Sequence, residues 1–349
     1  MEFMRKRIAG LSMITRLIIV SVIAMVAVAT GTAIWLQSGK QHADDSVPPT
    51  RIRVALPTLV SSGAFYIGLD QGYFEKRHLQ VELQPFAMGR LALGAVKSGN
   101  ADLAVMADTA FMFSANQGGK LATLGTVFAS RRNIAVVSPR GSGINSAHDL
   151  IGKTVATVTG TNNQYFLDAL LVASHVDRSS VNIVYLPADQ LVSSLKERKI
   201  DAATLWHPTF YKAQQALGTP ITRIYGDDIF VFRFLLGGTR EYLTQHAAPM
   251  RELLAALDEG NQFIHAHPAE AKNIIGQALG LDPVTLANDF DPTDFTLSLD
   301  QTLLLALDEQ TRWAIKRKLI AEETAPNYLD YMLTAPLESV RPDAVKIIQ

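Results

Sequence analysis

Residues 51–83 read RIRVALPTLVSSGAFYIGLDQGYFEKRHLQVEL, and this stretch decides the fold class. Ile52, Val54 and Leu56 alternate with Arg51, Arg53 and Ala55 before Pro57. That is the period-two pattern of a strand, closed by a residue with no N–H to give to a ladder. Leu79, Val81 and Leu83 alternate with Gln80, Glu82 and Gln84 in the same way. Between the two, Ala64 to Phe74 predicts a short helix. Strand, helix and strand in so short a span make a βαβ unit, so α/β layers with mainly parallel sheets and helices on both faces are expected.

The alternation continues downstream. Strands are predicted at 103–106, 121–128, 134–137, 154–158, 181–186, 202–206 and 230–236, with helices in the gaps. Gly99, Gly118 and Gly218 fall where apolar helical patterns stop, as left-handed caps do. After Gly238 the strand pattern fades, and 250–266, 268–279 and 300–320 predict a helical C-terminal region. The segments AVKSGNADLA at 95–104 and SLKERKIDAA at 194–203 repeat one order: helix end, Lys, turn, Asp, buried strand. Such an echo suggests two similar α/β lobes.

The N-terminus differs from the rest. Residues 1–40 hold five basic residues, Arg5, Lys6, Arg7, Arg16 and Lys40, against the single acid Glu2. Leu17 to Leu36 is an uncharged run which, as a helix rising ~1.5 Å per residue, spans about 30 Å of hydrocarbon. The basic cluster before it keeps the N-terminus cytoplasmic, so the chain beyond residue 37 is exported. Ala27-Val28-Ala29 offers a small-x-small cleavage site, and the length of the run suits a retained anchor, so both outcomes stay open. Residues 37–50, polar and ending in Pro48-Pro49, read as a linker.

Composition excludes several functions. Thirty-two Lys plus Arg against 33 Asp plus Glu leaves no surplus of positive charge for a phosphate backbone, so no nucleic-acid partner is expected. Zero cysteines remove disulfides, thiolate nucleophiles, Cys-ligated zinc and a lipid-bearing cysteine anchor. His265 and His267, two residues apart on a predicted helix, point to different sides and are poor joint metal ligands. No cofactor, metal or catalytic triad is expected, and no nucleotide motif occurs.

Five segments, AFYIGLDQGYFEKRHLQVEL (64–83), LGAVKSGNAD (93–102), DLIGKTV (149–155), Gly160-Thr161 with Tyr165, and IDAATLWHP (200–208), resemble in order and spacing the substrate-binding proteins of ABC importers of the nitrate, sulfonate and taurine class, a thiamine-precursor-like group. The resemblance covers about residues 51–320. It implies the two-lobe periplasmic-binding-protein type II fold. Lobe 1 would comprise 51–135 and 236–349, lobe 2 would comprise 136–235, and crossing strands would lie at 134–137 and 230–236.

Candidate ligand residues lie beyond the predicted strand ends, where loops open into helix N-termini. Ser61, Ser62, Gly63 and Phe65 follow the first strand, and Arg90 precedes the next helix. Asp108 and Thr109 follow the third strand, where an ordinary N-cap role for Asp108 is the competing reading. Thr161, Asn162 and Asn163 open a helix further on, and Trp206 and His207 end a strand at the same rim. A guanidinium at Arg90 suits bidentate binding of a sulfonate or carboxylate.

The resemblance implies a non-enzymatic monomer that binds a small-molecule anion and serves an ABC permease and, through it, a cytoplasmic ATPase. It would stand outside the inner membrane, secreted across it or anchored to it by residues 17–36. A membrane-tethered sensor is an alternative. A thiamine-pyrimidine synthase-like enzyme shares the fold but suits a cytosolic, cysteine-bearing chain.

Overall fold

The structure, a computed structural model, describes residues 48–348 apart from 227, 282–285 and 287–289. The expected membrane helix at 17–36 and most of the linker lie outside the described residues. Among the described residues no helix is long and apolar enough to cross a membrane.

Two sheets organise the chain. The first has seven strands: β1 (Thr50–Pro57), β2 (Leu79–Phe86), β3 (Leu103–Ala107), β4 (Leu121–Ser130), β10 (Phe232–Thr239), β11 (Phe295–Asp300) and β12 (Val345–Lys346), in the order β12-β11-β4-β10-β3-β1-β2. The second has β5 (Ile134–Pro139), β6 (Thr154–Thr157), β7 (Asn182–Tyr185), β8 (Ala202–Trp206) and β9 (Ile221–Ile224), in the order β7-β6-β8-β5-β9. The chain thus enters the second sheet after β4 and returns after β9.

The expectation of mainly parallel sheets needs correction. Parallel pairs join β1 to β2 and β3, β11 to β12, and β6 to β7 and β8. Antiparallel pairs, equally numerous, join β10 to β3 and β4, β11 to β4, and β5 to β8 and β9. A strand that brings the chain over from the other sheet arrives without a crossover helix. β10 and β5 therefore insert antiparallel into otherwise parallel neighbourhoods.

A second correction concerns the C-terminal region, which is not purely helical. Phe295, Leu297 and Leu299 of β11 point inward and alternate with half-buried Thr296, Ser298 and Asp300. The period-two signal is present but short, and the strand forms because β4, far away in sequence, supplies its ladder.

The repeated sequence segment has a structural counterpart. Asp102, before β3, accepts from the Arg53 backbone N–H at 2.7 Å and donates its own N–H to the Arg53 carbonyl at 2.9 Å. Asp201, before β8, does the same with Thr154 at 2.8 Å in both directions. In each sheet one Asp starts a buried strand in register with its parallel neighbour.

The helices cover both faces. Those that matter here are α1 (Gly63–Asp70), α2 (Gly89–Lys97), α3 (Asp108–Asn116), α4 (Asn162–Ala173), α5 (Leu191–Lys196) and α6 (Thr209–Leu217). They are followed by α7 (Arg240–Gln245), α8 (Ala247–Ala266), α9 (Pro268–Leu279), α10 (Gln301–Lys316) and α11 (Thr334–Val340). Gly218 ends α6 at φ 64°, a left-handed cap. Alternation along β5 divides the second sheet's burial. Ala135 and Val137 pack with Leu195 of α5 and Phe210 of α6. Ile134 and Val136 join Phe166 and Leu170 of α4 in the core that also contains the first sheet.

α10 ties the two parts together. Asp168 of α4, only 4% exposed, accepts from Trp313 Nε1 of α10 and from Arg317 Nε just past its end at 2.8 Å each, and from Arg178 Nε at 2.9 Å. Above this charge the Trp313 ring stands edge-on to Tyr165 of α4 at 5.3 Å and to Phe113 of α3 at 6.3 Å.

Candidate functional site

A cavity of about 550 Å³ lies between the two sheets. It sits at the carboxyl ends of five parallel strands: Leu59 follows β1, Ala87 and Met88 follow β2, Ala107 ends β3, Val158 and Thr159 follow β6, and Trp206 ends β8. A parallel strand must end in a loop that turns into a helix, so these are the places where helix N-termini gather.

Three such termini reach the wall: α2 through Gly89 and Arg90, α3 through Ala107 and Ala110, and α4 through Thr161, Asn162 and Asn163. None is capped by the side chain at its N-cap, respectively Met88, Ala107 and Thr161. Met88 and Ala107 have no oxygen to offer, and the Thr161 hydroxyl is turned away, donating to the Val158 carbonyl at 2.7 Å. Uncapped first-turn N–H groups and the positive end of the helix dipole favour an anion.

On α2, Gly89, Arg90, Leu93, Gly94 and Lys97 share the face turned to the cavity, the i, i+3, i+4, i+7 stripe of a helix. Gly89 is required there. A Cβ would stand 2.7 Å from the Met106 Cα of β3, so the helix start lies directly on the strand. Arg90 and Lys97 are both exposed at the lip. Among the described residues the wall contains no carboxylate, and the local charge is positive.

The carboxylate nearest to this arrangement in sequence, Asp108, is fully buried behind it. It accepts from Asn162 Nδ2 at 2.8 Å, Gln310 Nε2 at 2.9 Å and its neighbour's N–H, Thr109 N, at 2.8 Å. Burial pushes its carboxyl above the usual range, opposed by the charge of Arg233 and by these donors. Asp108 is the first residue of α3 rather than its N-cap, which is Ala107. Through Asn162 it binds the second sheet's α4 to the first sheet's α3. Asn163 is held in its turn by donating Nδ2 to the Thr204 carbonyl of β8 at 2.8 Å.

Of the sequence candidates, Arg90, Thr161, Asn162, Asn163 and Trp206 meet at this wall. Ser61, Ser62, Gly63, Phe65, Asp108, Thr109 and His207 do not. Ser62 Oγ donates to the Pro57 carbonyl at 2.8 Å, which closes the turn after β1. A Cβ on Gly63 would come within 2.5 Å of Ile275 and 2.7 Å of Phe295, and Phe65 packs against Phe74 in the core. Ser61 is buried. Thr109 is buried on α3, and His207 stacks edge-on to Phe210 at 4.3 Å. At the α1 start Gly63 and Phe65 pack into the core, and the Ser61 hydroxyl has no hydrogen-bond partner among the described residues.

Sequence reading missed Lys97, Phe113, Ser114, Gln117, Phe232, Phe234 and Leu319, all in the wall. Lys97 was open to detection, because it repeats Arg90 two helical turns on. Phe232 and Phe234 look like ordinary strand alternation, and only the return of β10 to the first sheet brings them here. Ser114 is 3% exposed, and its hydroxyl has no hydrogen-bond partner among the described residues. No group of three or more His, Asp or Glu among the described residues is placed to hold a metal ion.

Residues 60–271 match the family described as NMT1/THI5 like. A Brucella abortus chain, provisionally named a binding protein, is 22% identical over 226 residues, 64% of this chain and 69% of its own. The structure of the periplasmic aliphatic sulphonate binding protein SsuA from Escherichia coli aligns with a TM-score of 0.72 at 17% identity, covering 81% of this chain and 97% of that one. The desulfurization enzyme DSZB aligns with a TM-score of 0.67 at 12% identity, over 84% of this chain and 99% of that one. Likeness at these identities establishes the fold, which accommodates both binding proteins and an enzyme.

Proposed function

We propose that this chain, which belongs to the NMT1/THI5-like family, is the extracytoplasmic solute-binding component of an ABC importer. It captures a small anionic solute, of the sulfonate or nitrate type, between its lobes and delivers it to the permease. ATP hydrolysis then belongs to a cytoplasmic partner. The observation that carries this reading is the wall itself: the uncapped N-termini of α2 and α4, with Arg90 and Lys97, around one cavity, and no carboxylate among the described residues that line it. An anion gains there from the α2 and α4 dipoles and from both cations, and no carboxylate or imidazole in that wall supplies an acid or base for turnover.

The chain up to β4 and from β10 onward forms one lobe and the chain from β5 to β9 the other, linked by the segments after β4 and before β10. A solute touching both shifts the population toward closure by its differential affinity. Residues 17–36 carry the protein out of the cytoplasm and, if uncut, hold it at the inner membrane.

Native mass spectrometry of the chain purified from its own host is the test. A released mass that matches an organic or inorganic anion, rebinding at one per chain, is expected. A chain that carries nothing and binds no anion by calorimetry sinks the reading.

A further inference from the structure

At about 550 Å³ the cavity holds the space of roughly eighteen water molecules at ~30 Å³ each. A nitrate or a two-carbon aminosulfonate displaces few of these and leaves the rest standing against rings. Four aromatic side chains belong to the wall: Phe113 of α3, Trp206 at the end of β8, and Phe232 and Phe234 of β10. The last two are buried and pack edge to face at 4.9 Å. Phe113 and Trp206 are half-buried, so ring surface contributed by each sheet stays uncovered. Wet apolar surface in a concave site is what a bulky apolar body relieves.

Charge, by contrast, is confined to one edge. Arg90 and Lys97 sit two turns apart on one face of α2, and neither makes an ion pair among the described residues. The cavity is therefore amphipathic: cationic along α2, polar at the start of α4, and aromatic at Phe113, Trp206, Phe232 and Phe234.

Resting on the solute-binding reading, we propose that the solute is an organic anion with a bulky, flat apolar body, an arenesulfonate or arenecarboxylate in chemical class. Its anionic group lies toward Arg90 and Lys97, and its body is covered by Phe113 from one lobe and Trp206 from the other. This class is narrower than the family's small anions, and it makes ring coverage the determinant of specificity.

Calorimetric titration of the full chain with naphthalene-2-sulfonate, naphthalene-2-carboxylate, ethanesulfonate, taurine and nitrate tests it. The naphthalene anions are expected to bind one per chain at least about ten-fold tighter than ethanesulfonate. Phe113→Ala should reduce that ratio to roughly three-fold or less with little change for ethanesulfonate, and Trp206→Ala, on the other lobe, should do the same. Melting curves without probe identify a variant that has lost its fold, in which case the other variant decides. Arg90→Gln should weaken every anion that binds. Ethanesulfonate, taurine or nitrate binding as tightly as the naphthalene anions overturns the proposal while leaving the solute-binding reading intact. A folded chain that binds none of the five overturns the proposal, and the solute-binding reading falls with it only if the chain from its own host also carries no anion.

Discussion

Asn162 Nδ2 donates to Asp108 Oδ1 at 2.8 Å, so a side chain in the cavity wall on α4 is clamped by a carboxylate buried at the start of α3. The bond joins the two sheets immediately behind the site. It also commits one of the two Asn162 amide N–H donors to protein, which leaves the other and the first-turn N–H groups of α4 for whatever enters.

Removing that clamp should act on both stability and binding. Asn162→Ala strips one donor from a buried carboxylate and should lower unfolding free energy by roughly 1–3 kcal/mol, read from urea midpoints. Anion affinity should fall as well, because Asn162 lines the wall. Asp108→Asn replaces an acceptor by a group that cannot receive from all three donors, and should destabilise at least as much.

Asp168 offers a cleaner separation of stability from binding, since it does not line the cavity. Asp168→Ala leaves Arg178, Arg317 and the Trp313 indole N–H without their shared acceptor. The guanidinium side chains are partly exposed, so the loss should be about 2–3 kcal/mol, below that of a fully buried pair. A double-mutant cycle with Arg317→Ala should show coupling, and additivity would mean the contact contributes nothing.

Two glycines separate packing from site geometry. Gly63→Ala drives a methyl into Ile275 and Phe295 and should cost about 1–3 kcal/mol while anion affinity is retained. Gly89→Ala pushes α2 off the β3 backbone and displaces Arg90, so affinity should drop at least in step with melting temperature.

Acid should stabilise the chain over one window. Burial, opposed by the Ser130 hydroxyl and aided by Asp291, pushes the Asp294 carboxyl up to about 6. Unfolded aspartate titrates near ~3.9, so the native state binds this proton more tightly. Its contribution is fully present below the unfolded value and is lost as pH rises through about 6. Asp294→Asn should therefore raise the melting temperature at pH 7.5, with the gain over wild type shrinking toward pH 4.5. A gain independent of pH would count against this titration.

The sequence by itself determined the α/β class, the strand positions up to β8 and the family, because period-two alternation, helix caps and βα motifs are local and each is written within a few residues. The same locality places Arg90, Thr161, Asn162, Asn163 and Trp206 at or just beyond strand ends, and these are the sequence candidates that line the cavity. Only the tertiary structure decided which strand ends face one another. It placed β5 and β10 antiparallel, gave β11 a partner, kept Ser62, Gly63 and Phe65 out of the cavity wall, and buried Asp108 against Asn162 and Gln310. It also brought Phe232 and Phe234 to a wall that their own strand pattern could not reveal. Those outcomes depend on contacts between residues far apart in the chain, where neither periodicity nor capping carries a signal.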